Sequence, residues 1–365
     1  MKRIFRTIIS AIAVFATLTA CDKKNQGSAV SGWEHLIEPD PEIPQDEQFF
    51  LTRGVVAGWS DVGNRNVLDY IKIAKEHGLN TFSIYGADRS SQVWKDFAAQ
   101  CAINGIKLEY EEHMMSFLLP RDLFSQHPEY FRMDAHFART NDANGCPSNE
   151  DALDIVYKNA LDIGRRYQPT NHKYYFWLDD GGDICHCGKC QKYNAADQAL
   201  IYENVIIKAL KTLDPDAQLA HLCYYNTVEP PTQITPEEGI FLEFAPIGRN
   251  SSEPLANLDA MGTDGRTHRV YLNALSENLK IFPKETAQVL EYWMDDSLFS
   301  GWDPAHLKPV PWSRSRFQQD IKTYASYGIR HIMCYTAYVG PNYVNQFGYP
   351  TFLEEYADDL KNFKK

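Results

Sequence analysis

The sequence predicts an α/β barrel of the (β/α)8 type, and three observations predict it. Eight short segments rich in β-branched and aromatic residues recur along the chain, at 55–60, 81–87, 107–113, 173–180, 218–226, 240–247, 288–294 and 331–338. Amphipathic helical patterns separate most of them, an alternation that implies parallel strands joined by crossover helices. An open doubly wound sheet usually has fewer strands and needs a phosphate-type glycine loop, which this sequence does not show.

The helical patterns fall at 64–76, 90–103, 149–167, 191–212, 267–281 and 313–327. Within 64–76, Val67, Ile71 and Ala74 share one face, and Asp69, Lys72 and Lys75 share the other. Three junctions, His77-Gly78-Leu79, Asn104-Gly105-Ile106 and Tyr327-Gly328-Ile329, each follow an amphipathic run and precede a strand. A glycine there takes the left-handed conformation that closes a helix before the chain re-enters the sheet. The connection at 227–239 is different, because its prolines exclude a normal helix, so the barrel is expected to be irregular between its fifth and sixth strands.

The chain starts with basic residues, then an apolar stretch from Thr7 to Thr17 that closes on Leu18-Thr19-Ala20-Cys21. This is the pattern of a lipoprotein signal peptide over 1–20, too short to span a bilayer permanently. Cys21 would carry the lipid, and residues 21–48, which have little to bury, would form a tether to one catalytic domain over 49–365. The expected location is the outer membrane surface or the periplasm, with membrane contact through the lipid only. A net charge of −12 with no basic cluster argues against nucleic acid as a partner. The 21 Tyr and 7 Trp suit a carbohydrate cleft as well as a large core.

In such a barrel the reacting groups stand at the carboxyl ends of the strands. There the sequence places Trp59 and Asp61, Tyr85, Glu111, Glu112 and His113, Asp179 and Asp180, Tyr224 and Tyr225, Glu243, then Glu291, Trp293 and Asp295, and finally Tyr335. Carboxylates that face one another, or that are buried against aromatic rings, bind protons more tightly. One can then act as acid while another acts as base or nucleophile, which is what breaking a glycosidic bond requires. Asp180 and Glu291, at the ends of the fourth and seventh strands, suit that division. Adjacent acids would also suit a substrate-assisted reaction, in which a sugar acetamido group is the nucleophile. Alternation along 174–180 allows only one of Asp179 and Asp180 to face the axis.

Just beyond them, Cys185, Cys187 and Cys190 form Cys-x-Cys-x-x-Cys, with Cys146 as the most plausible remote fourth thiol. Structural zinc, two disulfides (Cys187 with Cys190, Cys185 with Cys146) and free thiols are the alternatives: the spacing favours a metal and an exported compartment favours oxidation. Cys101, Cys223 and Cys334 lie in apolar runs and read as ordinary buried thiols.

Leu-Glu-Tyr-Glu-Glu-His at 108–113, Leu-Leu-Pro-Arg at 118–121, His-Pro-Glu-Tyr-Phe-Arg at 127–132, Trp-Leu-Asp-Asp at 177–180 with the thiols, and Leu-Glu-Tyr-Trp-Met-Asp-Asp-Ser at 290–297 occur in order. Together they resemble the proteins of domain of unknown function 4838 from Bacteroidetes, a group that includes glycoside hydrolase family 163. The resemblance runs from about Arg53 onward. It implies a retaining, endo-acting β-N-acetylglucosaminidase on complex N-glycans, with Asp179, Asp180, Glu291 and Asp295 at motif positions. His113, Arg121 and His127 are then candidates to bind sugar or position loops. A glycan-binding lipoprotein without chemistry and a zinc-dependent hydrolase are the competing functions; neither accounts as well for acids spread over several strand ends.

Overall fold

The computed structural model describes residues 48–365. The expected signal peptide, Cys21 and the tether up to residue 47 lie outside the described residues. Gln48, the last residue assigned to the tether, donates from Nε2 to the carbonyl of Lys361.

Nine parallel strands form the sheet: β1 (Thr52–Gly58), β2 (Thr81–Tyr85), β3 (Lys107–Glu109), β4 (Glu111–His113), β5 (Lys173–Trp177), β6 (Gln218–Cys223), β7 (Ile240–Phe244), β8 (Gln288–Glu291) and β9 (His331–Tyr335). Their order is β3-β2-β1-β9-β8-β7-β6-β5-β4, so the two edge strands are consecutive in the chain. β3 pairs with β2, and β4 pairs with β5. The third predicted strand is therefore split at Tyr110, and its two halves nearly close the barrel. Side chains fill the interrupted ladders there. The amide of Glu111 donates to Ser83 Oγ on β2, and the amide of Leu108 donates to Thr170 Oγ1. All eight predicted segments are strands of this barrel.

The helices follow the apolar periodicity, with some differences at their ends. The pattern at 64–76 becomes a helix only at Tyr70–His77, because Asp69 caps it by accepting from the amides of Ile71 and Lys72. Val67 therefore lies outside the helix and is exposed. The pattern at 191–212 becomes Ala195–Lys211, since Asn194 and Asp197 form a capping box that starts the helix there. Gly78, Gly105 and Gly328 all take positive φ, of 97°, 70° and 84°. Between β6 and β7 there is only a 3-10 turn, Tyr225–Thr227, as the prolines predicted. The sequence reading did not include the terminal helix Phe352–Asn362, which buries Phe352, Leu353, Tyr356, Ala357 and Leu360.

Two apolar layers result. An outer core fills the space between strands and helices and includes Tyr174, Phe176 and Val289. A smaller inner cluster fills the barrel with Val56, Tyr175, Trp177, Ala220, Phe241, Leu290, Tyr292 and Met333. Alternate residues of each strand supply the two layers, and this alternation decides which strand-end residues reach the mouth.

Candidate active site

Below the mouth the barrel holds a buried polar network. Glu243 accepts from Trp177 Nε1 and from Gln288 Nε2, both at 2.9 Å. Gln288 Oε1 in turn accepts from Lys173 Nζ and the Tyr175 hydroxyl, both at 3.2 Å. Burial pushes the Glu243 carboxyl up to about 8. Burial, and then Glu243, push Glu111 well above the usual carboxylate range. Neither Glu111 oxygen has a hydrogen-bond partner. These two acids lie inside the barrel under the indole of Trp177.

Above that ring a cavity of about 310 Å³ opens at the carboxyl ends of the strands. Aromatic rings dominate its wall: Tyr85, Trp177, Tyr224, Tyr292, Trp302 and Tyr335. Tyr292 and Tyr335 are stacked, with centroids 5.3 Å apart. Two carboxylates line it, Asp180 from the end of β5 and Asp295 from the end of β8. In the strand order β6 and β7 stand between β5 and β8, so the two acids come from separate parts of the rim.

Each Asp-Asp pair contributes only one member. Tyr175 and Trp177 point inward, so continued alternation would bring Asp179 to the axis. β5 ends at Trp177, however, and the chain turns: Gly181 has φ 59°, and the amide of Gly182 donates to the carbonyl of Asp179. The carboxylate of Asp179 accepts instead from Arg121 Nη2 and the amide of Asn144. Asp180 points over the mouth with its side chain 64% exposed. It accepts from the Tyr224 hydroxyl at 3.0 Å and lies 3.9 Å from His113 Nε2.

On the other side, Asp295 caps the short helix Asp296–Phe299 by accepting from the amide and hydroxyl of Ser297. Its neighbour Asp296 accepts from the hydroxyl of Ser300 at 2.6 Å and does not line the cavity. Asp295 is 4% exposed, and burial pushes its carboxyl up to about 6, against the hydrogen bonds from Ser297. The site therefore combines one open carboxyl group with one desolvated carboxyl whose proton is held up to about pH 6. Tyr224 and Tyr335 are raised above the usual phenol range, chiefly by burial, and stay protonated as donors.

The other nominated residues are spread around this mouth. Tyr85, His113 and Tyr335 line the cavity with the two acids. Trp59 packs edge-on against Trp94 and Phe97, and Tyr225 is a half-exposed rim residue against Tyr224. Glu291 lies on the outer face of β8, between Leu290 and Tyr292, which point inward. It is 1% exposed and pairs with Arg249 Nε at 2.9 Å, and the Tyr324 hydroxyl donates to it. Trp293 donates to Asp320 in the same outer layer, and Asp320 also pairs with Arg249. Glu291 and Asp180 are thus not brought together.

The sequence reading placed Tyr224 at a strand end and met Trp177 and Tyr292 only inside longer motifs; it did not nominate Trp302. The inner-face pattern of Gln288, Leu290 and Tyr292 carried the signal for Tyr292. Trp302 is 61% exposed, and its place is set by a loop.

An α/β barrel whose mouth is walled by aromatic rings and carries two carboxylates in unlike environments is the class of protein that fold and site define. The chain belongs to the family described as Domain of unknown function (DUF4838), whose model matches residues 64–351. No curated protein matches the sequence. Among solved structures it is similar to a β-galactosidase from the psychrophilic Marinomonas ef1 (TM-score 0.52, 9% identity, over 84% of this chain and 58% of that one). It is also similar to a GH5-4 broad specificity endoglucanase from an uncultured bacterium (0.44, 10%, 83% and 86%) and to the endo-β-1,4-mannanase from Thermotoga petrophila (0.43, 9%, 87% and 78%). The galactosidase likeness shows the α/β barrel fold, and this chain spans 58% of that enzyme's length.

Proposed function

We propose that this protein is a glycoside hydrolase that cleaves N-acetylglucosamine-containing glycans at the barrel mouth, with Asp295 and Asp180 as its carboxyl pair. One observation carries the reading: a single aromatic cavity at the strand ends receives one desolvated and one open carboxyl group. That asymmetry is what glycosidic cleavage asks of two acids. Asp295 donates its proton to the leaving oxygen. Asp180, fixed by the Tyr224 hydroxyl, meets the positive charge that develops at the anomeric carbon. The tyrosine and tryptophan rings stack on the sugar faces, and their hydroxyl and indole groups set its orientation.

The resemblance of the motifs at 108–113, 177–180 and 290–297 to glycoside hydrolase family 163 supports complex N-glycans as substrate, endo-acting cleavage and retention of configuration. The pattern over Met1–Cys21 supports an exported lipoprotein tethered outside the cytoplasm. Incubation with a released complex N-glycan, followed by mass spectrometry, is the test. The expected result is two fragments that part at an N-acetylglucosamine linkage, and their loss in Asp295→Asn. An intact glycan that is bound but never cut would instead identify a binding protein.

A further inference from the structure

The proposed cleavage uses none of the four buried thiols beside the mouth. Cys185, Cys187 and Cys190 come from the segment after β5, and Cys146 from the segment before the helix Glu150–Arg166. Their sulfurs all lie within 4.8 Å of one another. Cys146 Sγ is 3.7 Å from Cys187 Sγ and 3.9 Å from Cys190 Sγ. Four thiolates around a tetrahedral zinc, each about 2.3 Å from the ion, stand about 3.8 Å apart. A disulfide would draw sulfurs together in pairs at about 2 Å.

We propose that Cys146, Cys185, Cys187 and Cys190 bind one zinc ion, and that this ion fastens the turn carrying Asp180 to the segment ending in Cys146. The surroundings suit a thiolate cage. The amide of Met133 donates to Cys185 Sγ at 3.3 Å, and Arg139 Nη1 lies 3.9 Å from the same sulfur. The Ser148 hydroxyl is 3.3 Å from Cys146 Sγ and 3.2 Å from Cys190 Sγ. Four thiolates and one divalent ion leave two negative charges, which the Arg139 cation and these donors offset. The amides of Cys190 and Gln191 both donate to the carbonyl of Cys187, a tight turn that brings two of the sulfurs round. Gln198, on the helix Ala195–Lys211, holds Cys185, accepting from its amide and donating to its carbonyl. His186 does not belong to this cluster of ligand atoms; its Nε2 lies 3.4 Å from Asp183. A closed four-sulfur shell leaves no position for substrate or water, so the ion is structural.

The link to the mouth runs through Asn144. Its Oδ1 accepts from the amide of Asp179 at 2.9 Å, and its Nδ2 donates to the carbonyl of Asp183 at 3.3 Å. Asp180 lies between these two anchors. Fastening matters for turnover only if Asp180 belongs to the active site, so that half of the proposal rests on the glycosidase reading. Metal binding does not rest on it.

The test uses the full chain purified in its exported form, with metal content by mass spectrometry and thiol alkylation before and after chelation. The expected result is one zinc per chain, with the four thiols protected in the native protein. All four should alkylate after chelation and denaturation without reductant. Cobalt replacement should give the visible bands of tetrahedral thiolate coordination, and Cys146→Ser or Cys190→Ser should lower metal content. Hydrogen exchange over 179–190 should quicken on chelation. Two disulfides, or four free thiols without metal, would overturn the zinc site whatever the activity. Bound zinc with unchanged exchange over 179–183 would overturn the fastening.

Discussion

Replacing Asp295 by Asn should stabilise the fold at neutral and alkaline pH while abolishing turnover. Burial raises the Asp295 carboxyl from 3.8 to about 6 in the folded chain. The folded state thus binds this proton more tightly than the unfolded chain, and stability falls as pH rises between those values. At roughly 1.4 kcal/mol per unit, the ionised group costs about 3 kcal/mol once the pH is above 6. Asn keeps an oxygen for the Ser297 amide and carries no charge. The difference in unfolding free energy between Asp295→Asn and the natural protein should therefore vanish below about pH 3 and reach only about 0.5 kcal/mol at pH 4. It should grow to about 3 kcal/mol in favour of the variant at pH 8. Urea unfolding at a series of pH values measures it. Glycan cleavage should fall by about a hundred- to ten-thousand-fold, the usual weight of general acid catalysis. In the natural protein, kcat/KM should decline as pH rises through about 6. A stability difference that does not vary with pH, or a variant with natural turnover, would refute the reasoning.

Glu291→Gln acts differently, because Glu291 neutralises the buried Arg249 in the outer layer. Arg249 keeps Asp320 as a second buried carboxylate partner, so the cost is that of weakened charge-assisted hydrogen bonds, about 1–3 kcal/mol, seen as an earlier urea midpoint. Tyr224→Phe removes the 3.0 Å hydrogen bond to Asp180 but leaves the ring in the wall. Because Asp180 is open to water, kcat/KM on a released glycan should fall only about tenfold, with the fold's stability nearly unchanged.

Strand positions were legible because each is a compact run of branched and aromatic residues between glycine and proline signals. The split at Tyr110 was not, since Ser83 and Thr170, distant in sequence, satisfy the ladders there. The helix at Tyr70–His77 was read six residues too early, because Asp69 is a cap rather than one of its charged-face residues. The spacing of Phe352, Leu353, Tyr356, Ala357 and Leu360 carried the terminal helix, although among the described residues no strand follows it to frame it.

At the site, alternation settles Glu291. Gln288, Leu290 and Tyr292 share the inner face, which sends Glu291 outward. The same rule fails for Asp179 and Asp180, because the strand ends before them and Gly181 reverses the chain. The contacts of Asn144 and Arg121 with Asp179 decide which aspartate faces the mouth, and they come from a loop whose course no local pattern fixes.

The most direct test compares kcat/KM on one released complex N-glycan for the natural protein, Asp180→Asn, Asp295→Asn and Glu291→Gln, each corrected for its folded fraction. The mouth assignment predicts losses of about a hundredfold or more for both aspartate variants. Folded Glu291→Gln should stay within about tenfold of the natural protein, since its loss is one of stability. The reverse order, with Glu291→Gln inactive and an aspartate variant near normal, would contradict it.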